Sequence, residues 1–117
     1  MTDPNGKTPS IGAAQLALLE RLCTASGVSG YENEVRAIVL EQVRPLADET
    51  RVDGLGNVLA IRRGQGAAPR LRVMLAAHMD EVGLMLTEEE SPGIFRFENM
   101  HASPRSLLGK PVWVGRE

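Results

Sequence analysis

Leu71-Arg72-Val73-Met74-Leu75-Ala76-Ala77-His78-Met79-Asp80-Glu81 is the stretch on which the fold turns. Apart from Arg72 it is apolar up to Ala77, and then it stops at a histidine and two carboxylates. A short, near-continuous apolar run is what a strand covered on both faces of a sheet requires. On extended backbone, side chains two apart project to one side, so His78 and Asp80 face the same way beyond the strand's end. Ligands in open α/β sheets bind beyond the carboxyl ends of strands. The reading is an α/β sheet with chemistry at the tip of this strand.

Toward the N-terminus the pattern is helical. Leu16, Leu19, Leu22 and Cys23 recur at spacings of three and four, which predicts one buried stripe on a helix ending near Gly27. Ser29-Gly30-Tyr31-Glu32 has the form of a capping box. It opens a second helix with Val35, Ile38, Val39 and Val43 inward and Pro45 at its exit. A change to strand periodicity follows, with Thr50 to Val52 and Val58 to Ile61 as a hairpin around Asp53-Gly54-Leu55-Gly56-Asn57. Residues 62–70, with two glycines and a proline, read as a surface loop. Met1 to Ser10 lacks the apolar residues that offset ordering entropy and reads as a disordered tail.

On the other side, Val82 to Thr87 reads as a strand and Glu88 to Gly93 as a solvated turn. Ile94 to Phe97 returns as a strand, and another begins at Val112 to Val114. Three segments are expected: residues 1–10 as tail, 11–93 as the first part of an α/β domain, and 94–117 as the start of a β-rich one. An end just after a strand begins suggests a piece of something larger.

The composition narrows the function. The chain has 117 residues, 43% of them hydrophobic but only 3% aromatic, so its core is aliphatic. A formal net charge of −2 with mixed signs gives no footprint for nucleic acid and no basic membrane patch. No apolar run approaches the roughly 20 residues of a membrane-spanning helix, and the N-terminus is not a signal peptide. The expected compartment is the cytoplasm. A single cysteine, Cys23, excludes an internal disulfide and a cysteine zinc cluster. It reads as buried core on the first helix. Gly54-Leu55-Gly56 does not precede a helix, which argues against a phosphate loop. Glu81 reads as a structural or solvated carboxylate, Glu88 to Glu90 as a solvated run, and His101 as a loop histidine.

A neutral imidazole is a good zinc ligand, and a carboxylate on its other ring nitrogen fixes the tautomer. His78 and Asp80 have the spacing for that pair. The same short pattern also suits a histidine that caps a strand before an aspartate that opens a turn, and spacing alone does not separate the two.

Met74 to Met85, with Ala77-His78-Met79-Asp80-Glu81-Val82-Gly83 at its centre, closely resembles the first metal-ligand segment of family 42 metallopeptidases, the glutamyl- and TET-type aminopeptidases, some once labelled endoglucanases. Gly27-Val28-Ser29-Gly30-Tyr31-Glu32, Asp53-Gly54-Leu55-Gly56-Asn57-Val58 and Leu107-Leu108-Gly109-Lys110 resemble further segments of that family in the same order. The resemblance implies the N-terminal part of a zinc-exopeptidase-like sheet with helices on its faces, leading into an inserted β-barrel-like domain. It implies that His78 is a ligand to one of two divalent metal ions, zinc foremost with cobalt or manganese as options. Asp80 would be the catalytic-site residue orienting His78. The remaining ligands and the general base would lie downstream. The activity implied is metal-assisted hydrolysis of N-terminal residues from peptides, by a homo-oligomer, with this piece alone inactive. A related two-metal exopeptidase or amide deacylase is the second reading, and a non-catalytic metal-binding or interaction module the third. The Glu81-Val82-Gly83-Leu84-Met85 continuation favours the first.

Overall fold

A computed structural model describes residues 11–100 and 104–115. The tail expected over residues 1–10 and the loop histidine His101 lie outside the described residues. Among the described residues the architecture is mixed α/β: two helices, a 3-10 turn, two separate antiparallel hairpins and one further helical turn.

Helix α1 (Ala13–Thr24) starts after Gly12, whose N–H donates to Gln15 Oε1 at 3.1 Å. Helix α2 (Asn33–Val43) runs into a 3-10 turn, Arg44–Leu46, where Pro45 lacks the N–H that would continue the ladder. The helices meet through a small aliphatic core of Ala25, Val35 and Ile38, with Leu18, Leu22, Val39 and Met79 packed against it. The buried stripe of α1 therefore runs through Leu18 and Leu22, four apart. Leu16 and Leu19 are each 55% exposed, so the expected stripe is rotated around the helix. Cys23 is exposed too, contrary to the core placement expected for it. The cause is common to all three. Among the described residues α2 is the main element packed on α1, so a helix with apolar residues on more than one side buries the side facing α2. A bidentate pair, Arg21 to Glu41 at 2.6 and 3.2 Å, ties the two helices at the surface.

The first hairpin follows the sequence reading closely. Strands β1 (Glu49–Val52) and β2 (Val58–Ile61) pair antiparallel, with Glu49 opposite Ile61 and Val52 opposite Val58. The turn is held by Asp53, whose Oδ1 accepts the N–H groups of Leu55 and Asn57 while Oδ2 accepts from Asn57 Nδ2. Arg36 of α2 reaches this turn and donates from Nε to the Gly56 carbonyl at 2.7 Å. Residues 62–70 form the irregular surface segment that two glycines and a proline predict.

The second hairpin is longer than expected. Strand β3 (Gly83–Ser91) pairs with β4 (Ile94–Met100), and the turn contracts to Pro92 and Gly93. Glu88, Glu89 and Glu90 are strand residues rather than a turn. Register irregularities on either side of Glu88–Glu89 let Arg96 of β4 meet Glu90 at 2.9 Å and Glu88 at 4.0 Å. A hairpin with solvent on both faces tolerates such charges in mid-strand. Pro104–Leu107 forms one helical turn, α3, and residues 112–114 form no strand.

The largest departure is the run that precedes His78. Residues 71–80 are in no strand, and Leu71, Met74 and Leu75 are 90%, 87% and 94% exposed. A strand of a parallel sheet exists only by its neighbours, because its ladder hydrogen bonds go to other strands. Among the described residues no strand pairs with 71–77. The one parallel pairing among them is an isolated bridge between Val28 and Glu81. The radius of gyration, 19.6 Å against about 13 Å for a compact chain of this length, fits an apolar run without cover.

Candidate metal centre

The site is built where the α1–α2 junction touches the segment after Ala77. Gly27 and Glu81 are clasped twice: the Glu81 N–H donates to the Gly27 carbonyl at 2.7 Å, and the Gly27 N–H donates to Glu81 Oε1 at 3.2 Å. Glu34 of α2 accepts the Ser26 N–H at 2.7 Å. Glu81 and Glu34 thus hold backbone amides of the junction. For Glu81 that is the structural role the sequence suggested.

Two glycines permit the approach. A Cβ on Gly27 would lie 2.8 Å from Val35 Cγ2 and 3.3 Å from the Met79 carbonyl oxygen, and one on Gly83 would lie 2.6 Å from Val28 Cγ1. Such separations are below van der Waals contact, so backbone passes where a side chain would stand.

That clasp places three side chains in line. His78 Nδ1 lies 2.9 Å from Asp80 Oδ1, and Ser29 Oγ donates to Asp80 Oδ2 at 2.6 Å. Asp80 is partly buried, with 35% of its side chain exposed, whereas His78 is 85% exposed. The hydroxyl of Ser29 foremost, and then the imidazole of His78, hold the Asp80 carboxyl below the ordinary carboxylate range. An ionised carboxylate only accepts, so His78 Nδ1 is the donor and carries the proton. In the neutral ring the lone pair is then on Nε2, the atom left to bind something else.

The sequence foresaw His78 and Asp80 on one side, and they are in contact. Ser29 was missed. Its spacing to Glu32 suggested a capping box, yet α2 has Glu32 at its N-cap with no side-chain cap bond, and Glu32 accepts from the Gly30 N–H at 2.6 Å instead. The signal that could have found Ser29 is the pair of glycines around it: Gly27 marks a close backbone approach, and Gly30 a left-handed turn with φ of 85°.

The donor set fits one position in the shell of a divalent ion: an imidazole whose Nδ1 is taken by Asp80 and whose Nε2 is open. It does not supply the others. Among the described residues, no group of three or more His, Cys, Asp and Glu side chains gathers, and a catalytic zinc usually needs three protein ligands.

A mixed α/β segment thus presents a histidine in contact with a carboxylate beside a helix junction, and comparison with known proteins gives its family. The family model of the M42 glutamyl aminopeptidases matches residues 56–117, and the chain belongs to that family. It is 41% identical over 80 residues to the lysyl aminopeptidase of Pyrococcus furiosus, which covers 68% of this chain and 22% of that protein. The glutamyl aminopeptidase of Lactococcus lactis is 34% identical over 79 residues, covering 67% of this chain and 22% of the relative. The crystal structure of the TET aminopeptidase from a marine-sediment thaumarchaeon superposes with a TM-score of 0.63 at 39% identity, over 73% of this chain and 23% of that one. The chain thus spans less than a quarter of the length of these relatives.

Proposed function

We propose that this chain is the N-terminal portion of a two-metal aminopeptidase that removes N-terminal residues from peptides. In this reading His78 is a ligand to one ion, and Asp80 orients it. The observation that carries the reading is the His78–Asp80 contact of 2.9 Å, which leaves Nε2 open inside a segment matched by the M42 family model. When bound, a pair of divalent ions supplies Lewis-acid polarisation of the scissile carbonyl and a nucleophilic water at neutral pH. Zinc is the ion proposed first, since imidazole suits it.

The part of this chain in the chemistry is positional. Asp80 holds the Nδ1 proton, leaves Nε2 as the coordinating atom and sets the plane of the ring. The other ligands, the general base and the specificity pocket belong to the remainder of a protein of the relatives' length. Residues 11–93 would form the first part of its α/β catalytic domain, and residues 94–117 would open an inserted β-rich domain. Assembly as a homo-oligomer and a cytoplasmic location complete the proposal. Among the described residues, no helix is long and apolar enough to cross a membrane.

The test is peptide hydrolysis by the full-length gene product, with and without metal, on free and N-acetylated peptides. Release of N-terminal residues from the free peptides alone, with two ions per subunit and one lost in His78→Ala, is the expected result. Preference for the acetylated peptides would instead mark an amide deacylase.

A further inference from the structure

We infer that Ser29 is a positioning residue for the metal ligand His78, acting through Asp80. The inference rests on the reading of His78 as a ligand and adds to it a residue 51 positions from Asp80 in sequence.

A carboxylate held at one oxygen can swing, because the terminal torsion of aspartate is broad and two-fold. Asp80 is held at both. Oδ1 accepts from His78 Nδ1 at 2.9 Å, and Oδ2 accepts from Ser29 Oγ at 2.6 Å, a length typical of charge-assisted O–H···O⁻ bonds. The Ser29 bond therefore fixes the carboxylate plane, and that plane fixes the direction of the imidazole.

Ser29 is itself anchored by main chain. Val28 bridges Glu81, the Glu81 N–H donates to Gly27, and the Val28 carbonyl accepts the Tyr31 N–H at 2.7 Å. The hydroxyl is not engaged in capping α2, whose N-cap has no side-chain bond. Position is thus transmitted from the helix junction to Ser29, then to Asp80, then to His78. Partners one step removed from a metal ligand commonly change affinity by about 10–100-fold when lost. Ser29 acts two steps away, so the lower end of that range, about tenfold, is expected.

The experiment uses the full-length gene product loaded with cobalt(II). Each ion's affinity is read by chelator competition and its ligand field by visible absorption. Four proteins are compared: wild type, Ser29→Ala, Ser29→Thr and His78→Ala. Ser29→Ala should weaken by about tenfold the one ion that His78→Ala removes, and alter that ion's absorption bands. Ser29→Thr, which keeps the hydroxyl, should restore both. Wild-type affinity and spectrum in Ser29→Ala, with one ion lost in His78→Ala, would overturn the role of Ser29 and leave the ligand reading standing. Equal losses in Ser29→Ala and Ser29→Thr would mark a packing defect and overturn it as well. Two ions bound normally by His78→Ala would remove the ligand reading, and the role of Ser29 with it.

Discussion

Gly27→Ala tests the clasp directly. The added methyl would sit 2.8 Å from Val35 Cγ2 and 3.3 Å from the Met79 carbonyl oxygen. Val35 is 8% exposed at the centre of the small core, and Met79 packs against that core, so neither can retreat into solvent freely. Overpacking of this kind costs about 1–3 kcal/mol. The cost falls on the junction, because Gly27 both donates to and accepts from Glu81. Amide hydrogen exchange of Glu81 in the full-length protein reads it locally. At about 1.4 kcal/mol per factor of ten, exchange should quicken by about 5- to 140-fold. Removing the obstacle checks the cause. Val35→Ala alone costs about 2 kcal/mol from lost burial and a residual cavity. Combined with Gly27→Ala it should cost clearly less than the sum, since the two changes share one contact. Gly64→Ala is the control: its nearest neighbour would be Arg70 Cδ at 3.9 Å, and the change should stay within about 0.5 kcal/mol. Unchanged Glu81 exchange in Gly27→Ala, or strict additivity in the double variant, would refute the claim that this glycine sets the approach.

Three further outcomes are expected. The carboxyl of Asp53 lies below the ordinary range, chiefly through the Asn57 side-chain amide and then the Asn57 N–H. Because its folded pKa is depressed, the stability it lends the β1–β2 turn is complete above the usual aspartate pKa and fades as pH falls through the lowered value. A carbon-13 titration of that carboxyl with a normal midpoint would contradict this. Arg36→Ala should loosen the hairpin from α2 by about 1.5–3 kcal/mol, and Arg36→Lys should fail to rescue it, because one ammonium cannot serve Gly56, Asn33 and Glu32 in the planar geometry of the guanidinium. Exchange across residues 49–61 reports the change, and full rescue by lysine would count against the fork. Expressed as the 117-residue chain, the protein should self-associate through Leu71, Met74 and Leu75. A monomeric species with a cooperative melt would show that reasoning to be wrong.

What could be read from the sequence was local. Asp53-Gly54-Leu55-Gly56-Asn57 carries its turn chemistry within five positions, and the hairpin formed between the expected segments. Val35 and Ile38 lie inward on α2 as their spacing required. Features that depend on what packs from elsewhere were less legible. Apolar residues lie on several sides of α1, and only contact with α2 selects Leu18 and Leu22 over Leu16 and Leu19. Residues 71–77 have the composition of a doubly covered strand, but composition does not provide the flanking strands. At the candidate site, His78 and Asp80 are two apart and were visible together. Ser29 lies 51 residues from its acceptor, and only the backbone clasp brings it there.

The clasp also divides the chain into a part whose length matters and a part whose length hardly does. Between Val28 and Glu81 the polypeptide forms a closed loop containing α2, the first hairpin and residues 62–70. Loop-closure entropy grows only logarithmically, about 0.6 kcal/mol per doubling. Residues 62–70 can therefore lengthen or shorten with little effect on where Ser29 meets Asp80. Between His78 and Gly83 no such latitude exists, because one residue inserted there would move Asp80 or Gly83 out of step with the Gly27–Glu81 clasp and the close approach to Val28. Variation through descent should collect in the first region and spare the second, so that the spacing from histidine to glycine outlasts the sequence around it.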